Sequence, residues 1–373
     1  MPFYSNQSIK KIGKMLKSGK VNYWSGNEGK QFEKEFSSYL GNRFSVALSN
    51  GSVALEIALQ ALKLNKGDEI IVSPRSFIIS ASCTLNLGLK PIFADVDENG
   101  NLSIEDIKKA YNKKVKAIIV VHLNGLSCDL DPIMKFVKKN KIFLIEDCSQ
   151  AHGAVYKGKK VGSFGDISTW SFCQDKIIST GGEGGMISTN NKQLWLKCWS
   201  LKDHGKNYNS VFFKKHKIGF RWHHHNFGSN YRMTEMQAIL GRAQLKTLDN
   251  QVKKRNTIAN LYLNGLKDYF KKYDILKKPH FNYKNLTKKK EKKLNSKNLH
   301  AFYRLNLFIN EKKINQLKLL QQFNRKKINC GVGPCPEIYR EKVFQNLKYY
   351  PKKRLSNAKL LGERSITFPI DPN

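Results

Sequence analysis

Short apolar runs and amphipathic segments alternate from the N-terminus to about residue 190. The runs at Phe44–Leu48, Glu69–Val72, 91–96, 115–122 and 142–147 are too short for buried helices. They are rich in Val, Ile and Phe, which predicts strands buried on both faces. Residues 53–62, 76–88, 103–111 and 131–140 lie between them and predict helices. Residues 29–40 predict another, with Phe32, Phe36 and Leu40 on one face at i, i+4 and i+8. Two more strand-like runs, 167–172 and 186–189, flank a glycine-rich loop. Buried strands alternating with helices predict an α/β fold with a mostly parallel sheet covered on both faces. Ligands of such sheets bind beyond the carboxyl ends of the strands. Ser49 to Ser52, Phe77 and Asp147 stand at or just beyond those ends.

Past residue 245 the pattern changes. A long helical stretch (245–270) leads into a Lys/Asn-rich loop (271–298), an apolar strand (300–309), a helix (311–324) and a loop with Gly331, Gly333, Pro334 and Pro336. The chain then closes at FPIDPN with no terminal helix expected. This predicts a large domain over 1–245, N-terminal helices included, and a smaller domain over 246–373.

Charge alters the picture less than its size suggests. Lys and Arg number 66 against 29 Asp and Glu, a net charge of +37. Such a balance raises nucleic-acid binding. The lysines are spread through every segment, and the one dense run, 288–293 (KKKEKK), sits in the polar loop. The chain lacks the interleaved basic and aromatic pattern of a nucleic-acid reader, so the excess reads as a solvated surface that can steer an anionic substrate. Seven scattered cysteines without a C-x-x-C pair point to free thiols in a reducing, cytoplasmic compartment. No apolar run is long enough for a membrane span, and the N-terminus lacks a secretory core. His223, His224 and His225 are adjacent, so their side chains diverge, and no metal site is expected.

Candidate chemistry centres on the loop WSFCQDKIISTGGEGGM, where Lys176 precedes Gly181, Gly182, Gly184 and Gly185. A lysine that binds pyridoxal phosphate through its amine needs a proton path and a carboxylate for the ring nitrogen. Asp147, closing a buried strand, suits the second role, although a helix cap reads equally well there. Gln150 follows it as a donor to the ring 3-oxygen, and Phe77 offers a face for the ring or an ordinary core contact. The strand–turn–helix passage through Ser49-Asn50-Gly51-Ser52 offers free N–H groups to an anion, or merely caps a helix.

In order, SNGSVALEIAL, IEDCSQAHGA, WSFCQDKIISTGGEGGM, KDHG and GSNYRMTEMQAILGRAQL resemble the DegT/DnrJ/EryC1/StrS sugar aminotransferases, from about Asn27 to the C-terminus. The resemblance implies the fold-type I aminotransferase architecture, with a mostly parallel seven-stranded sheet in the large domain and a smaller α+β C-terminal domain. It further implies a homodimer with shared active sites, pyridoxal 5'-phosphate as cofactor, and L-glutamate and an oxo-sugar as substrates. By the same resemblance Lys176 is the Schiff-base lysine, Asp147 the ring-nitrogen partner, and Gln150 the group at the 3-oxygen. Gly51 and Ser52 cradle the phosphate, Ser171 donates to it, Asn230 reaches it from the partner subunit, and Phe77 stacks on the ring.

A narrower likeness within the family is carried by SPRSFIISAS, VVHLNGLSCDLDPIM, GFRWHHHNFGSNYRM and CPEIYREKVF. It is to transaminases that aminate 8-oxo-Kdo for lipopolysaccharide. A sugar acid calls for cations, and Arg75, Arg221 and His223 are the candidates for its carboxylate. Nucleotide-linked ketosugars are the alternative acceptors. Dehydration of such a sugar, and nucleic-acid binding on an inactive scaffold, are the remote readings.

Overall fold

The computed structural model describes residues 3–216, 218–277 and 298–372. Its helices are α1 (Asn6–Lys17), α2 (Glu28–Leu40), α3 (Gly51–Ala61), α4 (Ile79–Asn86), α5 (Ile104–Ala110), α6 (Leu130–Asn140), α7 (Lys192–Lys202), α8 (Tyr208–Phe212), α9 (Glu235–Gly265), α10 (Lys267–Lys271), α11 (Gln316–Arg325), α12 (Lys342–Asn346) and α13 (Ser356–Arg364). The strands are β1 (Phe44–Leu48), β2 (Glu69–Val72), β3 (Lys90–Phe93), β4 (Val115–Val121), β5 (Phe143–Asp147), β6 (Val155–Tyr156), β7 (Lys159–Lys160), β8 (Ile167–Ser171), β9 (Gly185–Thr189), β10 (Leu276–Lys277), β11 (Leu305–Ile309) and β12 (Ser365–Phe368). The main sheet has seven strands in the order β1-β9-β8-β5-β4-β2-β3. Pairs β2–β3, β2–β4 and β5–β8 are parallel, and β9 runs antiparallel to both β1 and β8. The fold class is the expected α/β one.

The chain divides into two compact units. The first comprises Met1–Asn65, Ile145–Ser149 and Gly162–Thr247, and the second Lys66–Leu144, Gln150–Val161 and Leu248–Asn373. In the first unit the apolar face of α2 is the one its spacing predicts. Phe32, Phe36 and Leu40 are buried, Phe32 meets Phe172 at 5.4 Å between ring centroids, and Phe36 meets Trp170 at 5.2 Å. Helix α2 stops at Gly41, whose φ of 76° closes the helix in a left-handed turn.

In the second unit a three-stranded sheet, β10-β11-β12, packs Leu305, Leu307, Ile309, Ile366 and Phe368 into one apolar cluster with Phe302. Several elements here depart from expectation. The strand predicted over 300–309 begins only at Leu305, because Phe302 adopts φ 48° and breaks extended geometry. The helix expected from residue 311 starts at Gln316, where the Asn315 side chain accepts from Lys318 N and caps it. Between the loop through Gly331 and Pro336 and the end at FPIDPN, the tail holds α13 and then β12, which pairs antiparallel with β11. The Lys288–Lys293 run lies outside the described residues. No helix among the described residues is long and apolar enough to cross a membrane.

Candidate active site

The first unit holds most of the candidates. Strand β1 delivers the chain to Asn50, whose side chain accepts from Val53 N at 2.9 Å and starts α3. Among the described residues, the backbone N–H groups of Gly51 and Ser52 have no acceptor. Two open donors at the positive end of a helix form an anion cradle. Gly51 is required there by space, since a Cβ would stand 2.6 Å from the Ser171 Cβ at the end of β8. Ser171 Oγ accepts from Cys173 N at 3.4 Å. The glycine turn after Lys176 closes on the same place. A Cβ on Gly185 would meet the Asn50 carbonyl oxygen at 2.2 Å, so backbone packs on backbone where α3 begins.

Asp147 ends β5 beside β8, opposite Thr169, and is 4% exposed. Its Oδ1 accepts from Ser149 N at 3.1 Å. Lys176 follows a turn in which its N–H donates to the Cys173 carbonyl, and its Nζ stands 3.2 Å from the Asp175 carboxylate. The lysine side chain is 16% exposed, so its amine is neither sealed in the core nor lost in solvent. Gly51, Ser52, Ser171 and Asp147 thus gather at the carboxyl ends of β1, β8 and β5, and Lys176 belongs to the loop leaving β8. An open N–H cradle too tight for a side chain, with a strand-end carboxylate and a half-sheltered amine, suits the phosphate, ring nitrogen and aldehyde of pyridoxal phosphate.

Asn230 is exposed and forms an isolated antiparallel bridge with Asp203. Arg221 is exposed. His223 Nδ1 lies 3.1 Å from Ser210 Oγ, with its ring 4.6 Å from that of His216. Desolvation, then His216 and Arg221, hold its pKa below the ordinary histidine value.

In the second unit, Phe77 is 68% exposed just past β2. Gln150 Oε1 accepts from Asn124 N at 2.8 Å, which leaves its Nε2 as the donor end. Arg75 departs from expectation. It is wholly buried, donates to Ser365 Oγ at 3.0 Å and Ala358 O at 3.5 Å, and burial lowers its pKa to about 10. A guanidinium so enclosed has no free face for a substrate carboxylate.

One pair in the first unit escaped the sequence reading. Asp203, wholly buried, binds Arg232 Nη1 at 2.6 Å and Lys206 Nζ at 3.1 Å through Oδ1. The adjacent opposite charges of KDHG, at a helix end, were the available signal.

A model of the DegT/DnrJ/EryC1/StrS aminotransferase family matches residues 3–373. GDP-perosamine synthase of Escherichia coli O157:H7 is 40% identical over 65% of this chain and 64% of that relative, a little under two thirds of its length. The crystal structure of an aminotransferase from Psychrobacter cryohalolentis superposes with a TM-score of 0.93 at 42% identity, covering 100% of this chain and 93% of that one. The Escherichia coli GDP-4-keto-6-deoxy-D-mannose-3-dehydratase with bound hydrated PLP superposes with a TM-score of 0.85 at 25% identity, over 100% and 94%.

Proposed function

Because the chain belongs to the DegT/DnrJ/EryC1/StrS aminotransferase family, we propose that it moves an amino group from L-glutamate to an oxo-sugar with pyridoxal phosphate as cofactor. The observation that carries this reading is the open cradle at Gly51 and Ser52 beside buried Asp147 and the Lys176 loop. Bound pyridoxal phosphate supplies the electron sink and the temporary carrier for nitrogen. The chain does the rest. Gly51 and Ser52 N–H groups and the Ser171 hydroxyl bind the phosphate, and Asn230 adds a contact from the partner subunit. The Asp147 carboxylate holds a proton on the ring nitrogen. Gln150 and Phe77 take the roles of donor to the ring oxygen and stacking face. The Lys176 amine would anchor the group and, once displaced, would serve as the base that takes the proton from the amino-bearing carbon.

The protein works as a cytoplasmic homodimer. Exposed Phe213, Phe220, Trp222 and Phe227, in the segment before Asn230, supply an apolar surface for the second copy. Of the acceptors, motif likeness supports 8-oxo-Kdo, with Arg221 and His223 in the exposed segment as cations for its carboxylate. The 40% identity to a GDP-perosamine synthase supports a nucleotide-linked ketosugar.

The test mixes purified protein, pyridoxal phosphate and L-glutamate with 8-oxo-Kdo or a panel of nucleotide-linked 3- and 4-ketohexoses, and follows 2-oxoglutarate and amino sugar. Turnover of only one class assigns the acceptor. Lys176→Ala should lower kcat by about 10²–10⁴-fold, and wild-type turnover by that variant would overturn the reading.

A further inference from the structure

We propose that Asp203 is the positioning residue for the phosphate end of this site, an inference that rests on the cofactor reading above. Segment 229–232 is held on one side by the end of α7. There Ser229 N donates to Leu201 O at 3.1 Å, His204 N to Ser229 O at 3.0 Å, and Tyr231 N to Lys202 O at 3.0 Å. On its other side Ser49 N donates to Tyr231 O at 2.9 Å, and Leu48 and Arg232 form an antiparallel bridge. Ser49 precedes the Asn50 cap of α3. One short segment therefore ties Asn230, which serves the second subunit's phosphate, to the strand end that sets this chain's own Gly51 and Ser52 donors.

Asp203 locks that segment by charge. Its Oδ1 holds Arg232 Nη1 inside the unit, while His204 at φ 54° and Gly205 at φ 78° turn the chain back over Asn226. A Cβ on Gly205 would strike the Asn226 carbonyl oxygen at 1.6 Å. The pair is not built for stability alone. Asp203 Oδ2 and Arg232 Nε are buried without hydrogen-bond partners, an arrangement an apolar pair would avoid. What the charges supply is a single register of segment 229–232 against Leu48 and Ser49.

Asp203→Asn keeps the shape and removes the charge. In a visible-absorbance titration of the full chain with pyridoxal phosphate, its apparent Kd should rise about tenfold or more, the scale on which support residues tune a bound group. At saturating cofactor kcat should fall by less than the affinity does. Arg232→Lys, which keeps charge but loses the fork, should show a smaller loss of the same kind, and Asp203→Asn added to Arg232→Lys should cost less than the sum. Apo-protein circular dichroism checks folding, and Arg232→Lys decides the matter if Asp203→Asn does not fold. Wild-type affinity in either folded variant overturns the proposal alone. A wild-type chain that takes up no pyridoxal phosphate overturns the cofactor reading as well.

Discussion

The two units bury charge in different ways. In the first, Lys202 and Asp203 face opposite charges, while the buried carboxylates of Glu146 and Glu235 accept from backbone N–H groups. Lys202 Nζ lies 2.9 Å from Glu33 Oε1 and 3.9 Å from the centre of the Tyr23 ring, and Asp203 binds Arg232 and Lys206. In the second, buried cations face carbonyls and hydroxyls. Arg75 donates to Ser365 and Ala358, and Arg255 donates to the carbonyls of Phe302, Tyr303 and Ile370 at 3.3–3.5 Å, with the surface carboxylate of Asp371 at 3.7 Å. Burial lowers the pKa of both arginines. Oppositely charged pairs fix which segments meet and cost dearly when halved, whereas a cation capped by carbonyls ties down loop backbone and can be removed whole. In the unit that carries the anion cradle, the Asp203–Arg232 pair holds the segment next to Leu48 and Ser49, where segment register decides whether donors converge.

The largest effect expected from that contrast is at Glu33. Its Oε1 accepts from Lys202 Nζ and from Ala47 N in β1, and its Oε2 from the Tyr23 hydroxyl. Glu33→Ala strands a buried ammonium and a strand N–H, and should cost about 3–5 kcal/mol in urea unfolding. Arg75→Met in the second unit should cost about 1–3 kcal/mol, since Ser365 Oγ retains its bond to the Leu361 carbonyl. Adding Lys202→Met to Glu33→Ala should recover part of the loss. Equal costs for Glu33→Ala and Arg75→Met would erase the distinction between the two kinds of burial.

This contrast also marks where the sequence stops being legible. The strands of the main sheet were readable because each is a short apolar run, as at Val115–Val121 and Phe143–Asp147. Gly51 and Ser52 were readable because a strand end next to a helix start is a local pattern, and Asp147 because it closes an apolar run. Strand β12 was not, because SITF is stabilised by pairing with β11, about sixty residues earlier. Helix α4 starts at Ile79 and not at Ser76 because Ser76 bridges Cys335, a distant partner. Buried charge is the extreme case. Arg75 reads as a surface residue until Ser365 is placed beside it, and Asp203 reads as a loop acid until Arg232 arrives. Spacing along the chain reports a residue's own element, not the counter-group that makes its burial tolerable.

The second unit should show its difference through acid sensitivity. His300 is buried against Phe302, its ring 3.8 Å from that ring, and its Nδ1 accepts from Phe302 N at 2.8 Å. Burial pushes its pKa down from 6.5 to about 3. The folded state holds this imidazole neutral while the unfolded chain protonates it near 6.5. Its contribution is therefore complete above pH 6.5 and lost progressively as pH falls toward 3. Between pH 7.5 and 4.5 the wild type should lose about 2–3 kcal/mol more than His300→Asn, which keeps an acceptor for Phe302 N. Parallel pH profiles of the two proteins would remove His300 from the account.

A smaller effect of opposite sign should come from the same unit. Asp97 is half-buried, with its Oδ1 accepting from Asn99 N and Asn101 N at 2.9 Å each. Burial outweighs those bonds and raises its pKa from 3.8 to about 6, with Glu98 adding to the rise. Here the folded state takes up its proton at higher pH than the unfolded chain does. The stabilisation is complete below pH 3.8 and is lost as pH rises through about 6. Relative to Asp97→Asn, the wild type should therefore gain about 1–2 kcal/mol on going from pH 7.5 to 4.5. The double variant with His300→Asn separates the two, because removing His300 exposes the Asp97 gain and removing Asp97 deepens the His300 loss. If Asp97→Asn leaves the slope of unfolding free energy against pH unchanged, the carboxylate is better hydrated than its half-buried position implies. The acid response of the unit then rests on His300 alone among this pair.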